Sequence, residues 1–539
     1  MLDLRIINAT IVDGTGEPSF LGSIDIQDGK IVNIDRSPNP SDSSKTQDTC
    51  VIDADKQVVC PGFIDPHTHS DWNILRHPKA SSSLLMGVTT EMGGNCGGSM
   101  APWSPSMEKE LARSGIEVDE HPETLDDFFN QMESRGIGNN QGTYVGQGAI
   151  RGYVMGNATR FPTEEERALM RHLTKTSLQM GAFGMSTGRA YVPGCHAGFK
   201  EIVELTQRVA DHDALYTAHI ADQWANVHRA TREVLKLGER TGCAVHVAHQ
   251  KVVGKDNWGR SPEVLSILEE GLEMGIDITA DVYPYAFSAV MRLTDILPPH
   301  LKANNESVLR EMITHPEGEA RIRRVLKENP TYVTARLGSY GVVHCSESKR
   351  YEGLDIGEIA AEHKTDIPGA VHYLLKENQL DVKIAGIMAE DDIRTILAHP
   401  QVMIGSDSSL RDAQADQDKC PRTSSIHPRE YGTYPRVLGK YVREEGLLTL
   451  EEAIHKMTGM PAERLALPDR GRIHRGFWAD LVIFDPEIIR DRATIVDPFA
   501  PPVGISHVLV NGVITVEEND VLDPRAGQVL RDYQGRTLY

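Results

Sequence analysis

Six side chains in this sequence are of the types that bind a metal, and they share a kind of place. His67 and His69 flank Thr68 in DPHTH, Cys96 sits in GGNCGG, and His219 lies in LYTAHI. His249 lies in AVHVAHQ and Asp407 in IGSDSS. Imidazole, thiolate and carboxylate together make a donor set suited to zinc. In an extended strand residues i and i+2 face the same side, so His67 and His69 can converge on one ion. Alone, each is unremarkable: the chain has 21 His, and a thiol such as Cys96 is more often a small buried hydrophobe. Their shared position points to chemistry, because every one of them falls toward the C-terminal end of a short apolar run. His246 shares the sixth run, but His249 is nearer its end, so His249 is read as the ligand and His246 as packing.

The runs that must position these residues are GFIDPHTH (62–69), GVTTEMGGNCG (87–97), TYVGQGAIR (143–151), GAFGMSTG (181–188), LYTAHI (215–220), AVHVAHQ (244–250), DITADVYPY (277–285) and VMIGSDSS (402–409). Helical stretches are expected between them, at 163–180, 224–241 and 261–274. Eight strand-like runs, most followed by a helix, predict a (β/α)8 TIM barrel, whose sites lie at the C-terminal ends of the strands. More than a hundred residues separate DVYPY from VMIGSD, too many for one connection. The stretch at about 295–380 is therefore read as an insertion able to act as a lid over the barrel mouth. Alternating apolar and polar residues at both chain ends, with an NG turn at 511–512, predict β-hairpins. Neither end can build a core alone, so one small β-sandwich assembled from both is expected. The domains then read as 1–60 and 468–539 for the sandwich and 61–467 for the barrel. Residues 37–49 read as a polar loop.

Composition removes several classes of function. The 539 residues carry 56 Lys and Arg against 77 Asp and Glu, a formal charge of −21. No basic surplus exists to displace counterions, so no nucleic-acid partner is expected. No run of 18 apolar residues occurs, so no membrane span is expected. The N-terminus lacks a basic stretch followed by an apolar one. Seven Cys without a CxxC pair read as reduced thiols, and the expected compartment is the cytoplasm. A homo-oligomer stays open.

PGFIDPHTHSD, with β segments at both chain ends, resembles the amidohydrolase superfamily of metal-dependent hydrolases. The stretches GVTTEMGGNCGGSMAP, MSTGRAYVPG, AHQKVVGKDNWGRS, ADVYPY, VMIGSD, HPREYGTYPRVLG and HKMTGMPAERL resemble the N-acyl-D-amino-acid deacylases, or D-aminoacylases. Many related amidohydrolases bridge two metals with a carboxylated Lys on strand four. GAFGMSTG has no Lys, so the Cys96 thiolate is the natural substitute. The resemblance implies one tight Zn2+ at Cys96, His219 and His249. It implies a second, weaker position at His67, His69 and Asp407, which Cys96 could bridge. Asp407 would also be the catalytic general base, later returning the proton to the leaving amine. Tyr191, Lys251, Tyr283, Ser288 and Arg429 match the positions that bind the substrate carboxylate.

The implied reaction is hydrolysis of the amide of a small-molecule N-acyl-D-amino acid, or of a similar carboxylate-bearing amide. The alternatives are a cyclic-amide, hydantoinase-like hydrolase, and a non-catalytic scaffold on the same fold. The missing strand-four Lys opposes the first, and the retained ligand set opposes the second. Departures surround the site. Gln147 stands where the family has His, Ala221 and Gln223 where it has Arg and Glu, Gly98 where an aromatic is common, and Ala190 where a large apolar residue is. The small residues at 98 and 190 imply a roomier pocket.

Overall fold

The computed structural model describes residues 2–36, 49–104, 108, 121–297, 306–328, 336–413, 426–523 and 525–532. The polar stretch at 37–48 lies outside the described residues.

Eight short strands run parallel around a barrel: Phe63–Asp65, Val88–Gly93, Asn140–Thr143 continued by Val145–Gly146, Gly184–Gly188, Leu215–His219, Ala244–Val247, Ile278–Val282 and Val402–Ile404. Neighbours along this order pair with one another. At the break in the third strand the Tyr144 N–H still donates to Gly93 O at 3.0 Å. The ring closes just beyond the first and eighth strands. Asp407 N–H donates to His67 O at 2.8 Å, and His69 N–H donates to Ser408 O at 2.7 Å. Closure of the barrel and placement of three candidate ligands are therefore one event. The third strand is shorter than its sequence suggests, because Gln147–Met155 is helical. Consecutive buried residues at Ala149, Ile150, Arg151 and Gly152 suit a helix wedged against its neighbours rather than a period of two.

The outer helices show why they form. In Val227–Thr241 the buried Val227, Ala230, Thr231, Val234 and Gly238 recur every three or four residues, making one face for the strands. The helix stops at Gly242, whose φ of 68° suits a residue without a Cβ. Glu164–Gln179 opens on a reciprocal cap between Thr163 and Glu166, a device contributing about 1 kcal/mol. Helix Gly459–Arg464 and the residues after it pack Ala462 and Leu465 on Ile64, Met92, Phe183 and Leu215.

The chain ends join as expected, but as one continuous nine-stranded sheet. Val58–Pro61 pairs antiparallel with Leu481–Phe484, which links the N-terminal strands to Ile505–Val510 and Val513–Glu517. The sheet has its own core, including Leu4, Ile6, Ile24, Ile26, Ile483 and Leu509. Three of its tight turns use Asp28-Gly29, Asn511-Gly512 and Glu518-Asn519, all six residues at positive φ. Residues 525–532 then cross to the barrel, where Gln141 N–H donates to Gln528 O at 2.9 Å and Leu530 N–H to Gln141 O at 2.8 Å.

Between the seventh and eighth barrel strands lies a separate layer. Met291–Arg292, Val382–Ala385 and Gly341–Cys345 form a three-stranded antiparallel sheet. Helices Glu306–Thr314, Gly318–Glu328, Ile356–Glu362 and Ile367–Glu377 belong to the same layer. Its core includes Ile313, Ile322, Val342, Ile359, Leu374 and Ile384. The stretch at 295–380 is thus folded around its own apolar centre, and its sheet takes strands from just outside those bounds. No helix among the described residues is long and apolar enough to cross a membrane. Cys50, Cys60, Cys96, Cys195, Cys243 and Cys345 are free thiols.

Candidate metal centre and cavity

All six candidate ligands meet at the C-terminal mouth of the barrel. Cys96 Sγ lies 3.4 Å from His67 Nε2, 3.3 Å from His249 Nε2 and 3.5 Å from His219 Nδ1. Asp407 Oδ1 lies 3.1 Å from His69 Nε2 and 3.6 Å from His67 Nε2. The donor atoms of His67, Cys96, His249 and Asp407 all fall within 4.8 Å of one another. Each follows or ends its strand, so the backbone turns there and aims the side chain inward. Three do so at positive φ: Cys96 at 53°, His249 at 36° and Asp407 at 54°. Such conformations cost non-glycine residues about 1–3 kcal/mol each and cluster at functional sites.

The outer edges of the imidazoles are fixed as well. Asp281 Oδ2 lies 3.2 Å from His67 Nδ1 and 2.8 Å from His246 Nε2, and its Oδ1 accepts the His249 N–H at 2.9 Å. His246 Nδ1 is in turn 2.8 Å from Thr279 Oγ1, so both its nitrogens are engaged inside the barrel. The Gln223 side-chain amide lies 3.0 Å from His249 Nδ1. With Nδ1 occupied, the Nε2 atoms of His67 and His249 face Cys96, the orientation ligating histidines take from their outer partners.

Electrostatics follow from burial and from two cations. Burial would raise the Asp407 carboxyl, but Arg429 and the surrounding imidazoles hold it well below the usual carboxylate range. Burial would likewise raise Asp281, and His67 and His246 on either side lower it instead. Burial, with Lys251 nearby, pushes His219 down to about 3 and His249 well below its ordinary value. Both are thus neutral, the form that can ligate. Burial also raises the Cys96 thiol, a tendency that a bound cation reverses. Arg429 Nη1 donates to Asp407 Oδ2 at 2.6 Å, and Lys251 Nζ donates to the Tyr283 hydroxyl at 2.7 Å.

Above the centre opens a cavity of about 660 Å³. Tyr191, Lys251, Ser288 and Arg429 line it, as their sequence positions suggested. Tyr283 is the exception: it is 1 % exposed and is not on the cavity wall. It lies behind the two cations, with Lys251 Nζ and the Arg429 guanidinium 4.6 and 5.0 Å from its ring centre. Tyr191 is half exposed, its ring centre 4.5 Å from that of His219. The position at Gly98 is not vacant space, since a Cβ there would lie 2.8 Å from the Trp72 indole. Gln147 turns away from the cavity and donates to Glu201 Oε1 at 2.8 Å.

Sequence reasoning missed Asp281, the role of Gln223, and the aromatic wall of Trp72, Trp224 and Tyr340. Asp281 left one signal, a carboxylate inside the apolar strand ITADV. Such a group is costly to bury without partners.

A model of the amidohydrolase family matches residues 50–516. D-aminoacylase from Alcaligenes xylosoxydans xylosoxydans is 32% identical over 532 residues, covering 98% of this chain and 97% of the relative. N-acyl-D-glutamate deacylase from the same organism is 32% identical over 535 residues, covering 98% and 96%. The crystal structure of N-acyl-D-glutamate deacylase from Bordetella bronchiseptica is 31% identical, with a TM-score of 0.77 over 98% of this chain and 99% of that one. It is a complex with zinc and a phosphonate inhibitor that mimics the tetrahedral reaction intermediate. With its barrel, its terminal sheet and the family match over most of its length, this chain belongs to the amidohydrolase family.

Proposed function

We propose that the protein is a zinc-dependent hydrolase of N-acyl-D-amino acids or similar carboxylate-bearing amides, releasing a carboxylic acid and the free amine. The observation that carries this reading is the convergence of Cys96 Sγ with the imidazoles of His67, His219 and His249 beneath a cavity that also holds Lys251 and Arg429. The full-length likeness to D-aminoacylase and N-acyl-D-glutamate deacylase supports the substrate class.

The donor set fits zinc: nitrogen, sulfur and oxygen atoms crowd one point, with the outer ring nitrogens of His67 and His249 already engaged. Cys96, His219 and His249 would hold one ion tightly. His67, His69 and Asp407 would hold a second more weakly, with Cys96 able to bridge. When bound, zinc polarises an amide carbonyl and makes water a competent nucleophile near neutral pH.

The chain's own groups supply the rest. Asp407, kept ionised by Arg429, takes a proton from the attacking water and passes it to the departing nitrogen. Lys251 offers a point charge and Ser288 and Tyr191 offer hydroxyls to the substrate carboxylate. Tyr283 positions the Lys251 ammonium. Arg429 keeps one nitrogen on Asp407 and lines the cavity beside it. In this reading 61–467 carries the chemistry, and strands within 1–60 and 468–539 form its supporting sheet. The free thiols support a reducing, cytoplasmic setting.

The test is a zinc determination on the purified protein beside acid release from N-acetyl-D-amino acids and their L forms. Zinc near one equivalent with turnover of D forms supports the reading. A zinc-loaded protein inert toward every member contradicts it.

A further inference from the structure

Three consecutive residues shortly after His219 tie the inserted layer to the metal centre. Asp222 pairs with Arg336 of the layer, Gln223 engages His249, and Trp224 packs on Tyr340 of the layer. Resting on the zinc reading above, we infer that Arg336 is a positioning residue for the centre. By anchoring Asp222 it sets Gln223 behind His249, so docking of the layer and affinity for zinc are coupled.

The anchor is well defined. Arg336 precedes the strand Gly341–Cys345 and holds the Asp222 carboxylate with two nitrogens, Nη2 to Oδ2 at 2.8 Å and Nη1 to Oδ1 at 3.3 Å. Such a fork fixes orientation as well as distance. The same carboxylate accepts the Trp224 N–H at 2.7 Å and the Asn226 side-chain amide at 3.2 Å. Gln223 O accepts the Val253 N–H at 2.8 Å, so the backbone is tied on both sides of the Gln223 side chain. Trp224 has little room to shift, since a Cβ at Gly254 would lie 2.8 Å from its indole and one at Gly386 3.3 Å. From this fixed backbone the Gln223 side-chain amide reaches His249 Nδ1 at 3.0 Å.

Gln223 needs that anchor more than Asp281 needs one. Asp281 attracts the His67 ring with a charge. Gln223 is neutral and holds His249 only by hydrogen-bond distance and angle, which weaken steeply when misaligned. A ligand ring released from its outer partner must be ordered when the ion binds, and affinity falls. Charge alone predicts the opposite. Removing the Arg336 cation would favour a bound dication by Coulomb's law, so weaker zinc binding without it has the sign of positioning. Linkage makes the effect reciprocal, and bound zinc in turn steadies the layer.

The experiment measures zinc dissociation constants of the full chain by competition with a chromogenic chelator. Gln223→Leu should weaken zinc about 10–100-fold and Arg336→Met about 3–30-fold. The double variant should bind no more weakly than Gln223→Leu alone, because both changes act on one contact. Glu358→Gln breaks another ion pair between the layer and the barrel loops, that with Lys255, without touching 222–224, and should leave zinc affinity unchanged. Hydrogen exchange on the native protein gives a second reading without substitutions, and amides at 336–342 should be more protected with zinc than without it. The inference is overturned by native zinc affinity in Arg336→Met, by an Arg336→Met effect that persists in full beside Gln223→Leu, or by equal weakening in Glu358→Gln. Equal exchange at 336–342 with and without zinc overturns it too. Each of these leaves the zinc reading intact, whereas a native protein that binds no zinc overturns both.

Discussion

Asp281 Oδ2 lies 3.2 Å from Nδ1 of His67, on the side of the ring turned away from Cys96. The carboxylate holds the ring so that Nε2 faces the centre, and it raises the basicity of the imidazole as a ligand. Asp281 touches no part of the cavity, so its effect reaches the centre through His67, through His246 and through the His249 N–H.

Asp281→Asn keeps the size of the side chain and removes its charge. Zinc affinity should fall about 10–100-fold, the usual cost of losing such an outer partner. Competition against a chromogenic chelator measures this directly. An unchanged zinc dissociation constant would show that His67 needs no carboxylate behind it.

Cys96 is the group on which the three imidazoles converge. Cys96→Ala should reduce bound zinc well below one equivalent while leaving the secondary structure by circular dichroism intact. Full zinc content and activity in that variant would make Cys96 a packing thiol.

Asp407→Asn retains a residue of the same shape that cannot carry the proton. It should lower kcat by about 10²–10⁴-fold and keep the zinc held by Cys96, His219 and His249. Near-normal kcat would assign the proton to another group.

These residues were readable before folding because each one is polar and ends or follows an apolar run, where a barrel places its chemistry. The barrel itself was readable from the alternation of runs and helical spacings. Asp281 was not, because its partners His67 and His246 are brought to it only by closure of the barrel. The layer between Val282 and Val402 was legible as an excess of chain but not as a fold, since its sheet pairs Met291–Arg292 with Val382–Ala385 across most of the insertion. The strap at 525–532 lacks apolar periodicity and owes its place to backbone bonds with Gln141. Gln147 looked like an altered site residue, yet it packs with Arg151 and Glu201 behind the cavity.

Lys456 gives a pH-dependent test of the scaffold. Its ammonium is buried and donates to Val402 O at 2.8 Å at the base of the eighth strand. Burial pulls it down to about 8, against about 10.4 in an unfolded chain. Below the folded value both states carry the charge and the burial cost is complete. Between the two values the unfolded chain binds more protons, so this group's contribution to stability rises with pH. Urea unfolding of the native protein and Lys456→Met across that window should show this rise only in the native protein. Parallel pH profiles would mean that Lys456 stays charged in the fold.

The most direct test of the account is removal and return of the metal. Dialysis against a chelator should abolish hydrolysis of N-acetyl-D-amino acids without unfolding the protein, and about one equivalent of zinc should restore kcat/KM. Hydrolysis that persists in protein shown to contain no metal would contradict the central claim.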